Sequence, residues 1–166
     1  TDGAAIALAK RRLKLAVFFQ MTFPGSPAIY YGDEVGVTGG DDPYNRATYP
    51  WADLGGRPDL ALLADFKTLT RLRQEHAVLR RGSIEAQLLI DDQVIVLLRR
   101  LDSAWAVTAT NNSTVARTVT VALPEAARVA SFSDALSGAK HGAVQGSLSF
   151  TVPALYGTAL IGRQAP

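Results

Sequence analysis

The chain has no cysteine among its 166 residues and only two histidines, His76 and His141. Those absences exclude disulfide scaffolds, thiolate metal sites, a cysteine nucleophile and a multi-histidine zinc site. Any metal chemistry would need oxygen ligands. Charge of one sign is scarce as well: 17 Lys and Arg stand against 15 Asp and Glu, a net charge of +2. That excess is too small for the basic face that binding a nucleic-acid backbone requires. Residues 1–82 carry 11 basic and 9 acidic side chains and residues 83–166 carry six of each, so neither half is a charged tail. No apolar run reaches the roughly 18–20 residues of a membrane span. Neither nucleic acid nor membrane is therefore expected as a partner, and the compartment stays open because proteins of every compartment can lack cysteine.

What is present suits a globular core: 48% hydrophobic and 19% charged residues. From Ala4 to about Thr22, Leu13, Val17 and Met21 lie one turn apart, with Lys10, Arg11 and Lys14 on a polar stripe. Basic residues 10–14 followed by apolar 15–23 imitate a signal peptide. Gln20 interrupts the apolar stretch and the first residue is Thr1, so the better reading is an amphipathic helix inside a longer protein. Pro24, Gly25 and Pro27 end it. Ala28-Ile29-Tyr30-Tyr31, closed by Gly32, reads as a strand. A second helix is expected over 60–79, capped by Asp59 with Leu62, Phe66, Leu69 and Leu72 on one stripe, and ended by Arg80, Arg81 and Gly82.

After Gly82 the pattern changes to short strands separated by turn residues, at 84–90, 93–99, 104–110, 115–123, 128–132, 147–152 and 156–162. Asp91-Asp92 suits a hairpin turn and Asn111-Asn112-Ser113 a longer one. Val115, Val119, Val121 and Leu123 alternate with Thr118 and Thr120. An antiparallel sandwich follows. The first half alone is incomplete, because a lone strand between two helices cannot pair its own backbone.

The stretch from Asp33 to Asp59, about 25 residues, is long for a loop in a compact domain, and such loops are usually functional. Asp33-Glu34 is a carboxylate pair, but neighbours at a strand end point to opposite sides and cannot both face one substrate. Asp41, Asp42 and Asn45 offer oxygen atoms without the alternating spacing and distal Glu of a calcium loop. Gly39-Gly40 lacks the Lys of a phosphate loop, Gly25-Ser26-Pro27 is not a nucleophile elbow, and both histidines read as surface residues. Asp42, Tyr44, Asn45, Arg46, Tyr49 and Trp51 differ in kind. They join hydrogen-bonding groups to aromatic faces, the mixture a neutral sugar needs. Stapling of the loop to the scaffold by Tyr49 and Trp51 explains the same composition equally well.

Residues 23–36, Phe-Pro-Gly-Ser-Pro-Ala-Ile-Tyr-Tyr-Gly-Asp-Glu-Val-Gly, resemble the last barrel strand of the α-amylase superfamily of glycoside hydrolases. The continuation from Thr38 to Arg46, with Tyr49-Pro50-Trp51, is similar to the neopullulanase, cyclomaltodextrinase and amylopullulanase branch. Residues 132–138 and 148–157 resemble the end of that family's C-terminal sandwich. The resemblance implies an α/β part followed by an all-β part: the last helix-strand-helix of a (β/α)8 TIM barrel over 1–82, then an antiparallel β-sandwich over 83–166. It implies a retaining α-glucan hydrolase acting on starch, maltodextrin or pullulan, with Asp42 and Arg46 at positions that bond glucose hydroxyls on the donor side. Tyr44 is placed with them as substrate-binding, although it and the residues after Arg46 depart from the common neopullulanase pattern. The family's catalytic carboxylates lie upstream of the last strand, so no catalytic residue is assigned here. A barrel needs about 250 residues. The 166 residues alone are expected not to turn over substrate and to need the rest of the barrel as partner, the barrel segment being disordered, rearranged or self-associated without it. No metal or other cofactor is expected of these residues; calcium in the parent is left open. The alternative from a different class is a non-catalytic carbohydrate-binding or structural module, with Trp105 as its candidate platform.

Overall fold

The structure, a computed structural model, describes residues 3–128 and 131–163. Helix α1 (Gly3–Thr22) buries Val17, Phe18 and Met21 on one face; Lys10 and Lys14 are half-buried and pair with Asp59 and Asp65, and Arg11 and Arg12 face solvent. Helix α2 (Leu60–Glu75) begins where the Asp59 carboxylate accepts the Leu62 N–H at 2.9 Å, and its buried stripe is Leu62, Phe66, Leu69 and Leu72. The single helix expected over 60–79 is broken at His76, whose backbone is extended (φ −109°, ψ 100°), and the chain resumes as α3 (Ala77–Arg81). Gly82 ends it, with its N–H bonded to the Val78 carbonyl.

Eight strands follow among the described residues: β1 (Ser83–Ile90), β2 (Val94–Leu101), β3 (Ala104–Asn111), β4 (Arg117–Ala122), β5 (Ser131–Asp134), β6 (Lys140–His141), β7 (Ser147–Val152) and β8 (Tyr156–Arg163). Six form one antiparallel sheet in the order β1-β2-β3-β8-β5-β6, and β4 and β7 pair as a second. Alternation along each strand then makes two cores. Val94, Val96, Leu98, Trp105, Val107, Phe132 and Leu160 face β4 and β7. Ala106, Ala159 and Ile161 face the helices, where they meet Phe18, Met21, Phe66 and Leu69. The molecule is thus three layers: helices, large sheet, small sheet.

The helix-then-sandwich architecture matches expectation, with four corrections. Residues 28–32 form no strand; no neighbouring strand lies beside them among the described residues, so the stretch stays irregular with Tyr30 and Tyr31 exposed. The strand expected over 115–123 is shortened to 117–122, and Val115, 60% exposed, lies outside the alternating face. The strand expected over 128–132 runs over Ser131–Asp134 instead, with residues 129 and 130 outside the described residues. Strand β6 had no signal, because two residues carry no period.

Two features lock the helices to the sheet. Gly157 lets Phe18 lie directly on β8: a Cβ there would sit 2.1 Å from the Phe18 ring. Arg99 of β2, fully buried, donates to the carbonyls of Thr22 (2.7 Å), Leu79 (2.8 Å) and Gly82. Arg73 of α2 donates to Met21, Leu79 and Gly25. Two guanidinium groups therefore gather the carbonyls at the end of α1, the favourable place for positive charge on a helix.

Candidate functional site

The Asp33–Asp59 stretch is irregular overall but tightly held at its ends. The Asp59 N–H bonds the Val35 carbonyl at 3.1 Å, while Lys10 of α1 reaches the Asp59 carboxylate at 2.6 Å. That ammonium and the Leu62 N–H hold the Asp59 carboxyl below the usual carboxylate range. At the entry, Gly32 has φ 90°, and its N–H bonds the Glu34 carboxylate at 2.9 Å. Glu34 is thus turned back on the backbone. Asp33 beside it is pushed above the ordinary value, first by burial and then by the Glu34 charge. Glu34 therefore serves its own turn rather than a substrate, and the Asp33 side chain makes no hydrogen bond or ion pair among the described residues.

Between these anchors three short 3-10 turns fold the loop on itself: Asp33–Val35, Tyr44–Arg46 and Ala52–Leu54. Gly39 lies against the Tyr44 carbonyl so closely that a Cβ would stand 2.8 Å from its oxygen. Gly56 is pressed likewise on Pro50. The middle turn brings Asp42 and Arg46 together, with Arg46 Nε 3.4 Å from Asp42 Oδ1. Both side chains are largely exposed, at 68% and 74% accessibility for Asp42 and Arg46, so the pair contributes little stability and is free to exchange for other partners. Tyr44 between them is 76% exposed. Tyr31 donates its hydroxyl to the Ala47 carbonyl at 3.1 Å, tying this turn to the stretch after α1.

Tyr49 and Trp51 contact each other with ring centroids 4.5 Å apart, and Trp51 remains 57% exposed. A shallow pocket of about 50 Å³ lies among Tyr30, Tyr31, Asp33, Thr38, Gly39, Asn45 and Ala47. That space is far below the few hundred Å³ of an ordinary small-molecule site. The described residues supply one wall, polar and aromatic, with nothing opposite. Among them no cluster of three or more acidic or histidine side chains could hold a metal ion. Sequence reasoning missed the role of Tyr31 as a tie; its only signal was aromatic character next to a turn.

No protein-family model matches the chain. Individual relatives do. The amylopullulanase of Thermoanaerobacterium saccharolyticum is 36% identical over 96% of this chain. The cyclomaltodextrinase of a Bacillus species is 50% identical over 46% of it. Among solved structures, the α-amylase of Geobacillus thermoleovorans, complexed with acarbose, superimposes on 95% of the chain with a TM-score of 0.83 at 27% identity. The chain belongs to the α-amylase superfamily. It spans 13% of the amylopullulanase, 13% of the cyclomaltodextrinase and 34% of the α-amylase.

Proposed function

We propose that this chain is the C-terminal part of a retaining α-glucan hydrolase. Residues 1–82 form a wall of its catalytic barrel and residues 83–166 the sandwich packed on that wall. The loop around Asp42, Tyr44 and Arg46 meets the sugar on the donor side. One observation carries the reading: a polar and aromatic loop, anchored at both ends, presents an exposed carboxylate and guanidinium from a single turn with no opposing wall. The Asp42 carboxylate accepts from sugar hydroxyls, the Arg46 guanidinium donates to them, and the Tyr44 ring packs on sugar CH groups. Two carboxylates from elsewhere in the parent perform double displacement through a glycosyl-enzyme intermediate. The relatives' names, amylopullulanase and cyclomaltodextrinase, support α-glucans as the substrate class.

In the full-length protein, Asp42→Ala and Arg46→Ala are each expected to lower kcat/KM on maltooligosaccharides about tenfold or more, about 1.4 kcal/mol of transition-state stabilisation. Unchanged values for both would remove this loop from the site. The binding-module alternative loses its platform, because Trp105 is fully buried in the sandwich core under the Arg100 guanidinium, 4.9 Å from the ring centroid.

A further inference from the structure

The helix-facing side of the six-stranded sheet is covered at its centre and open over β5 and β6. Alternation decides what lines the opening. Phe132 points into the sandwich core, so Ser131 and Ser133 point towards the helices. Register places Ser131 beside Arg163, and Ser133 beside both Ile161 and Lys140. Directly paired residues share a face, so these five side chains belong to one surface. The opposite wall is the break between α2 and α3, Glu75 to Val78, and the cleft between the walls has a volume of about 540 Å³. That is the size of an ordinary small-molecule site.

Its chemistry is cationic above a partly apolar floor. Arg163 and Lys140 have no ion-pair partner among the described residues. Glu75 is the one carboxylate in the lining. Burial opposes protonation of the His76 ring, Glu75 pulls the other way, and the Arg163 and Arg80 charges add to the effect of burial. The two cations of the lining, Arg163 and Lys140, both come from the sheet wall, and Glu75 stands on the helix wall. The hydroxyls of Ser131 and Ser133 make no hydrogen bond among the described residues, and Val78 and Ile161 give apolar surface. No exposed aromatic face lines the cleft, Phe132 being 1% exposed, so a neutral sugar ring finds no stacking platform.

We infer that this cleft binds the phosphate monoester of a small polyol. Arg163 and Lys140 take the phosphate, Ser131 and Ser133 the hydroxyls, and Val78 and Ile161 the carbon skeleton. Fork geometry suits Arg163 to two phosphate oxygens, while Lys140 acts as a point charge.

Titration calorimetry at low salt on the natural full-length protein tests this, with glycerol 3-phosphate as probe and glycerol and inorganic phosphate as controls. Expected are saturable binding of the ester, weaker binding of inorganic phosphate and none of glycerol. Arg163→Gln and Lys140→Gln should each weaken the ester about tenfold, and Glu75→Gln should tighten it. All three side chains are exposed, so the fold survives the changes. Absence of saturable ester binding at millimolar concentration, affinity unmoved by both cation substitutions, or inorganic phosphate binding as tightly as the ester would each overturn the assignment. Glycerol 3-phosphate carries no α-glucosidic bond, so its binding is judged independently of any hydrolase activity.

Discussion

Arg99 brings a guanidinium into the layer between helices and sheet with no carboxylate opposite it; backbone carbonyls from three segments take the place of a counterion. Burial, with Arg73 nearby, pulls its pKa down to about 10, so it is still charged at neutral pH. Arg99→Met takes the guanidinium donor from the Thr22 and Gly82 carbonyls, at about 1–3 kcal/mol each, while the Leu79 carbonyl keeps its bond from Arg73; removing a desolvated charge offsets part of the loss. A net loss of about 3 kcal/mol is expected in denaturant unfolding, and Arg99→Lys should recover only part of it because one ammonium cannot span the same acceptors. His76 is the second residue whose surroundings have consequences. Burial lowers its pKa, Arg163 and Arg80 add to that, and Glu75 acts the other way. The unfolded chain takes up the proton near pH 6.5 and the folded one only below it, so protonation favours unfolding. Stability contributed by the neutral ring is present above pH 6.5 and is lost as pH falls through the folded value. Urea midpoints at pH 8 and pH 5.5 should differ less in His76→Gln than in the wild type. Neither role was legible in the sequence, where Arg99 read as one more strand residue and His76 as surface. A single residue type carries no signal for long-range partners such as Thr22 and Leu79.

At the scale of elements, periodicity was a good guide wherever one face was buried. The stripe Leu62, Phe66, Leu69 and Leu72 fixed α2, and Val119 and Val121 fixed the inner face of β4 against exposed Thr118 and Thr120, whose hydroxyls bond Thr151 and Ser149 across the strand pair. The Asp91 turn forms because its carboxylate accepts from the N–H groups of Gln93 and Val94. Periodicity failed at β2, Val-Ile-Val-Leu-Leu-Arg-Arg-Leu, which is covered on both faces and does not alternate; there the turn signals alone marked the strand. Val144 and Ser147 exchange both backbone hydrogen bonds around Gln145 and Gly146, which sit at φ 50° and 79°. A turn with two left-handed residues favours Asn first and Gly second. Gln145→Asn should therefore raise stability by about 0.5 kcal/mol in thermal unfolding. The seam between α1 and β8 depends on the missing side chain of Gly157. Gly157→Ala forces the Phe18 ring to move and should cost about 1–3 kcal/mol. In a double-mutant cycle Phe18→Leu should cost less in the Gly157→Ala background than alone; additive losses would show that the ring does not depend on the glycine.

For the whole molecule, the change from helical spacing to short strands after Gly82 made the helix-then-sandwich order legible, the resemblance of residues 23–36, 132–138 and 148–157 to known sequences agreed with it, and the structure has that order. What did not form is the strand at 28–32, and the reason lies outside its own residues. A strand is a pairing, and Ile29, Tyr30 and Tyr31 have the β-branched and aromatic character for one without a neighbour among the described residues. On the proposed reading of the chain as a piece of a catalytic barrel, the same lack accounts for the single wall of the candidate site, because a barrel loop faces residues carried by other strands. It also leaves apolar surface in water, since Ile29, Tyr30 and Tyr31 are 40%, 61% and 48% exposed, and Phe19 and Phe23, stacked at 4.9 Å where the end of α1 meets β2 and β3, are more than a third exposed. Exposed apolar surface of this kind favours association. Expressed alone, residues 1–166 should therefore elute above monomer mass in light scattering, and Phe19→Ser with Phe23→Ser should shift the chain towards monomer. Amide exchange separates this from a chain that simply folds alone. Fast exchange at Ile29–Tyr31 with slow exchange across β2, β3 and β8 is the expected pattern. A monomer strongly protected at Ile29–Tyr31 would mean that this segment finds its partners within the 166 residues, and the need for further strands would fall with it.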